Sequence, residues 1–397
     1  MELTKRQLEG LNIAIQRYKN KEKYTVISGF AGTGKSTLIK FIVAALGEFG
    51  IDPNIDVGYC APTGKAANEL VKKGNSNATT LHKLLWEWRP LPHGGFFKKA
   101  KDSLEYKVVI VDETSMVPID IIKQLLKHHV YIIFAGDPGQ LPPISKNDNN
   151  HLLDKPHVFL DEIMRQALDS EIIRLSMLIR EGKPINPQDY HKDVMIIDRK
   201  DLNTSMLTWA DQVICATNKT RTDLNMQMRG LLNHTSNFPE EGDKVISLHN
   251  EWDIFDDEGN ALVNGTIGWL KQPEQVTQKL PYFWGGNNID VTYSHLVTEQ
   301  GSTFINLNMD TNMILTGEKC VDWQLAYKIN KSKGKYGVIT PLEFTYGYCI
   351  TCWKAQGAQW DKVLLIEEGH PFDKEEHKKF LYTGCTRAAN KLVLVRK

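Results

Sequence analysis

Gly29-Phe30-Ala31-Gly32-Thr33-Gly34-Lys35-Ser36 fits the pattern G-x-x-x-x-G-K-[ST] of a phosphate-binding loop. The apolar stretch from Tyr24 to Ile27 precedes it and reads as a buried strand. Thr37 to Val43 follows with helical character. Strand, glycine loop and helix form the context that the motif requires. Glycines let backbone N–H groups crowd a polyphosphate, and the helix N-terminus adds partial positive charge. In this pattern Lys35 reaches the terminal phosphates, while the Ser36 hydroxyl is a ligand for Mg²⁺. A plain glycine turn is the competing reading, and the flanking elements argue against it.

Val108-Val109-Ile110-Val111 is a second apolar run, ending in Asp112-Glu113. Such a run suits a central parallel strand buried on both faces. Acidic residues at its C-terminal end stand where α/β sheets place their ligands. Asp112 is then a candidate Mg²⁺ holder and Glu113 a candidate base for the attacking water. Tyr131 to Ala135 reads as a further buried strand, followed by Gly136-Asp137-Pro138-Gly139-Gln140-Leu141-Pro142-Pro143. Gln140 is positioned to report on a terminal phosphate. The loop alone is equally a Pro/Gly turn.

The chain has 397 residues, enough for two to four domains. It is 41% hydrophobic and 24% charged, neither disordered nor fibrous. Formal net charge is zero, so any nucleic-acid binding must use local patches. The six cysteines are scattered, as expected for reduced thiols in a cytosolic setting. Cys349 and Cys352 form a lone C-x-x-C, too little for a zinc or redox site. No apolar run approaches the ~20 residues of a membrane span, and the charged N-terminus is unlike a signal peptide.

From the N-terminus, residues 1–20 predict a helix with Leu8, Leu11, Ile15 and Tyr18 on one face. Thr4 and Gln7 have capping-box spacing; Gln7 equally suits an adenine edge. Val57 to Ala61 predicts a strand and Pro62-Thr63-Gly64-Lys65 a turn into a helix, where Thr63 could hold a phosphate other than that of a nucleotide. Thr79 to Leu85 predicts another helix start. Residues 86–106 read as an inserted hairpin, with Phe96 and Phe97 beside a Gly-Gly tip. Those rings either fold onto the core or offer a wedge or base-stacking surface.

Taken together, these residues resemble superfamily 1 helicases, and most closely the superfamily 1B branch that includes RecD and Dda. The resemblance is carried by Thr4-x-x-Gln7, residues 29–37, 61–67, 112–115 and 136–143, then 160–166, 216–218, 351–357 and 381–388, in the family order. It implies an α/β fold: two RecA-like parallel-sheet lobes, with a small hairpin insertion in the first and a β-rich, SH3-like insertion in the second. The expected boundaries are 1–85 and 107–150 for lobe 1A, 86–106 for insertion 1B, 151–240 and 342–397 for lobe 2A, and 241–341 for insertion 2B. Strands at 213–215, 363–366 and 392–395, and helices at 218–229 and 375–386, support the second lobe independently.

The resemblance implies ATP and Mg²⁺ as cofactors. Gln7, Gly32, Thr33, Gly34, Lys35, Ser36, Thr37, Asp112 and Gly357 would hold the nucleotide, with Ser36 and Asp112 at the metal. Lys35, Glu113, Gln140, Arg165 and Arg387 would be catalytic, the two arginines contributed by the second lobe. Pro62, Thr63, His82, Phe96, Phe97, Asn218, Thr351, Trp353 and Lys354 would touch nucleic acid. Relatives commonly carry His where this chain has Trp353; an indole keeps a donor and adds stacking surface. The implied activity is ATP-driven 5′→3′ movement on single-stranded DNA with unwinding of forks and duplexes, in the cytoplasm of a bacterial or phage-infected cell. Single-strand-binding, replication or recombination proteins are the implied partners. A superfamily 1 RNA helicase and an ATP-switched single-strand clamp remain the alternatives.

Overall fold

The computed structural model describes residues 3–90, 96–143, 149–164, 169–332, 335, 338–369 and 373–397; for 88–90, 96–98 and 252 it describes the backbone alone. The chain divides into two compact units. The first comprises Met1–Glu87, Lys98–Leu202 and Ala355–Lys397, and the second Trp88–Phe97 and Asn203–Lys354.

The first unit is built on a six-stranded sheet in the order Thr79–Thr80, Val57–Ala61, Val108–Val111, Tyr131–Gly136, Tyr24–Gly29, Val158–Leu160. All neighbours run parallel, with Val108 opposite Tyr131 and Tyr24 opposite Ile132. The central strands are continuous apolar runs because helices cover both faces. Val108–Val111 and Tyr131–Gly136 are buried at every position. One side packs on the helix Lys35–Leu46 through Leu38, Ile42 and Leu46. The other packs on Leu81, Leu84, Leu85, Ile122 and Leu125. Each fully buried side chain of this size contributes about 1.5–3 kcal/mol, so the sheet fixes the loops at its C-terminal edge.

The first helix spans Lys5–Lys19 with Thr4 as its cap. Leu11, Ile15 and Tyr18 pack on the core as expected. Leu8 does not; it is half exposed. Gly10 and Ala14 occupy the buried face instead, because a Cβ on Gly10 would meet Val158 and Leu38. The close approach of helix and sheet selects the small residues.

The same unit contains a second parallel set, Val194–Asp198 beside Ala388–Arg396 beside Trp360–Ile366. The helix Lys374–Cys385 lies against it, capped by Asp373 and Glu376. A two-stranded ribbon, Trp86–Pro90 and Phe96–Ala100, forms the expected hairpin.

In the second unit, Gln212–Cys215 pairs in parallel with Cys349–Thr351, and the helix Asn218–Leu231 packs on them. An antiparallel five-stranded sheet follows, in the order Thr303–Asp310, Asn288–Thr298, Ile267–Lys279, Lys244–Ser247, Phe344–Tyr346. It has the β-rich character expected for 241–341, but its edge strand Phe344–Tyr346 lies past that range. It also carries two helices that the β-rich reading of the sequence left out, Thr311–Thr316 and Trp323–Ser332. Arg229 is buried within this unit, where its Nε donates to Asp243 at 2.9 Å and Tyr348 donates to the same carboxylate at 2.8 Å.

Candidate nucleotide site and nucleic-acid contacts

The phosphate-binding loop leaves the strand Tyr24–Gly29 and enters the helix Lys35–Leu46, as the pattern requires. Gly32 and Gly34 take left-handed backbone, with φ of 77° and 79°. A side chain on Gly34 would also collide with the Gln7 amide. Thr33 is buried and its hydroxyl donates to Phe30 O at 2.8 Å, which closes the loop on itself. Lys35 Nζ donates to the carbonyls of Gly29 and Phe30 at 2.7 and 3.0 Å. Ser36 is exposed and Thr37 half-buried at the helix start.

Gln7 fulfils the capping reading of the sequence. Its backbone N–H and Oε1 complete the capping box with Thr4. Its Nε2 donates to Gly34 O at 3.3 Å, so the first helix braces the phosphate loop.

Asp112 and Glu113 stand at the end of Val108–Val111. Glu113 has φ of 50°, an uncommon conformation for a residue with a side chain. Asp112 Oδ1 accepts from the Glu113 backbone N–H at 2.9 Å and holds that turn. Strained backbone of this kind concentrates at functional sites. Burial raises the Glu113 carboxyl above its ordinary range; Arg387 pulls it down, Asp112 pushes it up and Lys35 pulls it down again. The carboxyl thus sits in the field of two cations contributed by distant parts of the chain. A raised carboxyl is the better proton acceptor near neutral pH.

Arg387 is buried, 5% exposed. Its Nε donates to Thr383 O at 3.1 Å, Nη1 to Ala358 O at 3.3 Å and Nη2 to Thr386 Oγ1 at 3.2 Å. These partners fix the guanidinium without neutralising it, and its charge acts on Glu113. Arg165, the other expected arginine, lies outside the described residues.

Gln140 is 7% exposed and its Oε1 has no hydrogen-bond partner among the described residues. An unpaired buried amide oxygen costs about 1–3 kcal/mol unless a ligand or water meets it. Around it the C-terminal segment grips the loop Gly136–Pro143. Thr383 Oγ1 accepts from Leu141 N at 2.9 Å, Gln356 Nε2 donates to Leu141 O at 2.8 Å, and Tyr382 OH donates to Asp137 Oδ2 at 2.6 Å. Tyr382 OH also accepts from Ala31 N in the phosphate loop at 2.8 Å. Gly357, with φ of 76°, lets this segment approach the first lobe; a Cβ there would stand 2.7 Å from that of Ala66.

Tyr382, Gln356 and Asp137 were not singled out from sequence. Arg180 is another addition. Its guanidinium lies 3.6 Å from the centroid of the Phe30 ring, within the phosphate loop. Tyr382, Gln356 and Asp137 each lie inside a stretch that carries the family resemblance, 381–388, 351–357 and 136–143, but Arg180 lies in none.

The expected nucleic-acid residues fall on both units. In the first, Thr63 caps the helix Gly64–Lys72, accepting from Ala66 N at 3.2 Å, beside half-buried Pro62. His82 stacks on Trp86 with ring centroids 5.3 Å apart. Phe96 and Phe97 lie in the part of the ribbon that belongs to the second unit, their side chains outside the described set. In the second, Asn218 is exposed at the start of its helix, Thr351 is 8% exposed, and Trp353 is half-buried. Lys354 Nζ donates to Asn264 Oδ1 at 2.7 Å. Burial, then repulsion from Arg221, lowers its pKa to about 8.

The donor set fits a magnesium nucleotide: a glycine-lined loop at a helix start, a lysine, a hydroxyl, two carboxylates, a buried arginine and an unpaired glutamine oxygen. Among the described residues no cluster of His, Cys, Asp and Glu forms a metal site by itself, as expected where phosphate oxygens complete the coordination. No described helix is long and apolar enough to cross a membrane.

Comparison with known proteins agrees with this arrangement. Residues 3–200 match the AAA domain family model, and residues 346–395 the UvrD-like helicase C-terminal domain. The chain is 25% identical to the ATP-dependent RecD2 DNA helicase of Deinococcus radiodurans over 93% of its length, covering 46% of that protein. It is 31% identical to the ATP-dependent DNA helicase dda of Enterobacteria phage T4 over 46% of its length, covering 43% of that protein. It spans less than half the length of either relative. The crystal structure of Pif1 helicase from Bacteroides, in complex with ADP-AlF3 and ssDNA, shares the fold, with a TM-score of 0.56 and 19% identity over 99% of this chain and 92% of that one. The α/β class with parallel, RecA-like sheets is common to both.

Proposed function

The chain belongs to superfamily 1B of the helicases, and from that premise we propose that it is an ATP-driven motor that moves 5′→3′ along single-stranded DNA and opens duplexes at forks. The observation that carries the reading is the phosphate loop between Tyr24–Gly29 and Lys35–Leu46, tied through Ala31 N and Tyr382 OH to the C-terminal segment that carries Arg387. Mg²⁺ bound with the nucleotide would supply Lewis-acid stabilisation of the phosphoryl oxygens. Ser36 and Asp112 would hold it.

The chain's own residues do the rest. Lys35 leaves the carbonyls of Gly29 and Phe30 to meet the terminal phosphates. Glu113 accepts a proton from the attacking water. Arg387 stabilises charge developing on the transferred group, an effect worth about 10³–10⁵ in rate for an arginine finger. Gln140 offers its free carbonyl to that water. The C-terminal segment touches the phosphate loop and the Gln140 loop together, so a change at the phosphates is felt where Arg387 is anchored. Single-stranded DNA would run by Pro62, Thr63, His82, Asn218, Thr351, Trp353 and Lys354, with Phe96 and Phe97 as the wedge. We retain the four-part division into 1A, 1B, 2A and 2B for this motor, and a cytoplasmic setting.

Steady-state hydrolysis with and without oligodeoxynucleotide tests the reading. Strong stimulation supports a motor. A rate that ignores the strand would instead support a nucleotide-switched clamp, and equal unwinding of RNA would favour an RNA helicase.

A further inference from the structure

The helix Trp323–Ser332 lies within the second unit. One of its faces is explained by packing. Ile329 is buried, and Leu325 and Ala326 join it against Leu280, Ile289, Val321 and Val338. The opposite face is not. Trp323 is 77% exposed and Tyr327 is 64% exposed. Residues four apart are neighbours on a helix surface, so the two rings form a stripe that exposed Lys331 continues. Gln324 and Lys328 run beside it, also exposed. Scattered surface apolar residues need no explanation, but two large rings in register do.

Charge selects the occupant. From Trp323 to Leu342 the sequence has Lys328, Lys331, Lys333 and Lys335 but no Asp or Glu. The chain as a whole is neutral, so this is the kind of local patch a neutral nucleic-acid binder requires. An anionic partner with exposed flat faces matches both features. Single-stranded nucleic acid presents stackable bases and a phosphate backbone, whereas a duplex hides its base faces. We propose that the Trp323–Tyr327–Lys331 stripe is an auxiliary single-strand-binding surface, with bases stacked on the two rings and phosphates on Lys328 and Lys331. The proposal rests on the single-strand motor reading and adds a second grip on the same strand.

The test uses the full chain and oligothymidines of about 8 and about 30 nucleotides, the shorter within one typical site size, read by fluorescence anisotropy. The wild type should bind the longer strand more tightly. Trp323→Ala/Tyr327→Ala should lose about ten-fold on the longer strand alone, the scale of one or two lost stacking contacts. Lys328→Ala/Lys331→Ala should lower the slope of log affinity against log salt by about 1.4 for two phosphate contacts. Unchanged affinity for both strands overturns the proposal, as does an equal loss on both, which would put the stripe in the motor's main strand path. Preferential loss of duplex or protein binding overturns it too. Absence of strand-stimulated hydrolysis in the wild type would remove the motor reading, while the anisotropy comparison would still decide the stripe.

Discussion

The Tyr382 hydroxyl accepts a hydrogen bond from the Ala31 amide at 2.8 Å and donates one to Asp137 Oδ2 at 2.6 Å. One phenol thereby ties the phosphate loop to the loop that carries Gln140. Asp137 Oδ1 in turn accepts from Gly139 N at 2.9 Å, next to Gln140. The bond to a buried carboxylate is of the stronger kind, about 1.5–3 kcal/mol.

Tyr382→Phe keeps the ring and removes the link. Hydrolysis should fall by roughly ten-fold in kcat with little change in KM, because positioning is lost rather than nucleotide binding. Amide hydrogen exchange at the phosphate loop should quicken. Unchanged exchange and unchanged kcat would show that the tyrosine only fills space.

Glu113→Gln should retain nucleotide binding and lose hydrolysis by about 10²–10⁴-fold, the range for a general base. Binding of a fluorescent nucleotide beside turnover measures this. Loss of binding would mean that the carboxylate, despite its strained backbone, serves only structure.

The Lys354 ammonium, with a pKa of about 8 against an ordinary 10.5, is charged below pH 8 and neutral above it. Its attraction for a phosphate is therefore present at pH 7 and fades as pH rises through 8. Bound phosphate favours the charged form and moves the loss somewhat higher. Stability runs the other way. Between pH 8 and 10.5 the unfolded chain binds more protons at this site, so the fold gains as pH rises. Single-strand affinity measured from pH 7 to 9 at fixed salt should fall, and Lys354→Arg should flatten the curve. A flat wild-type curve would show that the ammonium takes no part in binding.

Much of the site was legible because its parts are local. The phosphate loop, its flanking strand and helix, and Asp112-Glu113 after an apolar run are each contiguous signals. The Thr4–Gln7 capping box was equally readable, three residues apart. Tyr382 was not, because its partners lie 351 and 245 residues away. No spacing rule links such positions; only the packing of the helix Lys374–Cys385 in the first unit brings them together. Leu8 followed helical periodicity and is nonetheless exposed, because the near approach of the sheet left room on that face only for Gly10 and Ala14. The helices Thr311–Thr316 and Trp323–Ser332 were hidden by length: six and ten residues between strands give a weak periodic signal.

The motor stands most directly on strand displacement from forked DNA duplexes bearing either a 5′ or a 3′ tail, assayed with ATP for the wild type and Lys35→Ala. The account predicts that the wild type displaces the strand from the 5′-tailed duplex and that Lys35→Ala displaces none. Displacement that persists in Lys35→Ala, or a wild type that hydrolyses ATP yet opens neither duplex, would contradict it.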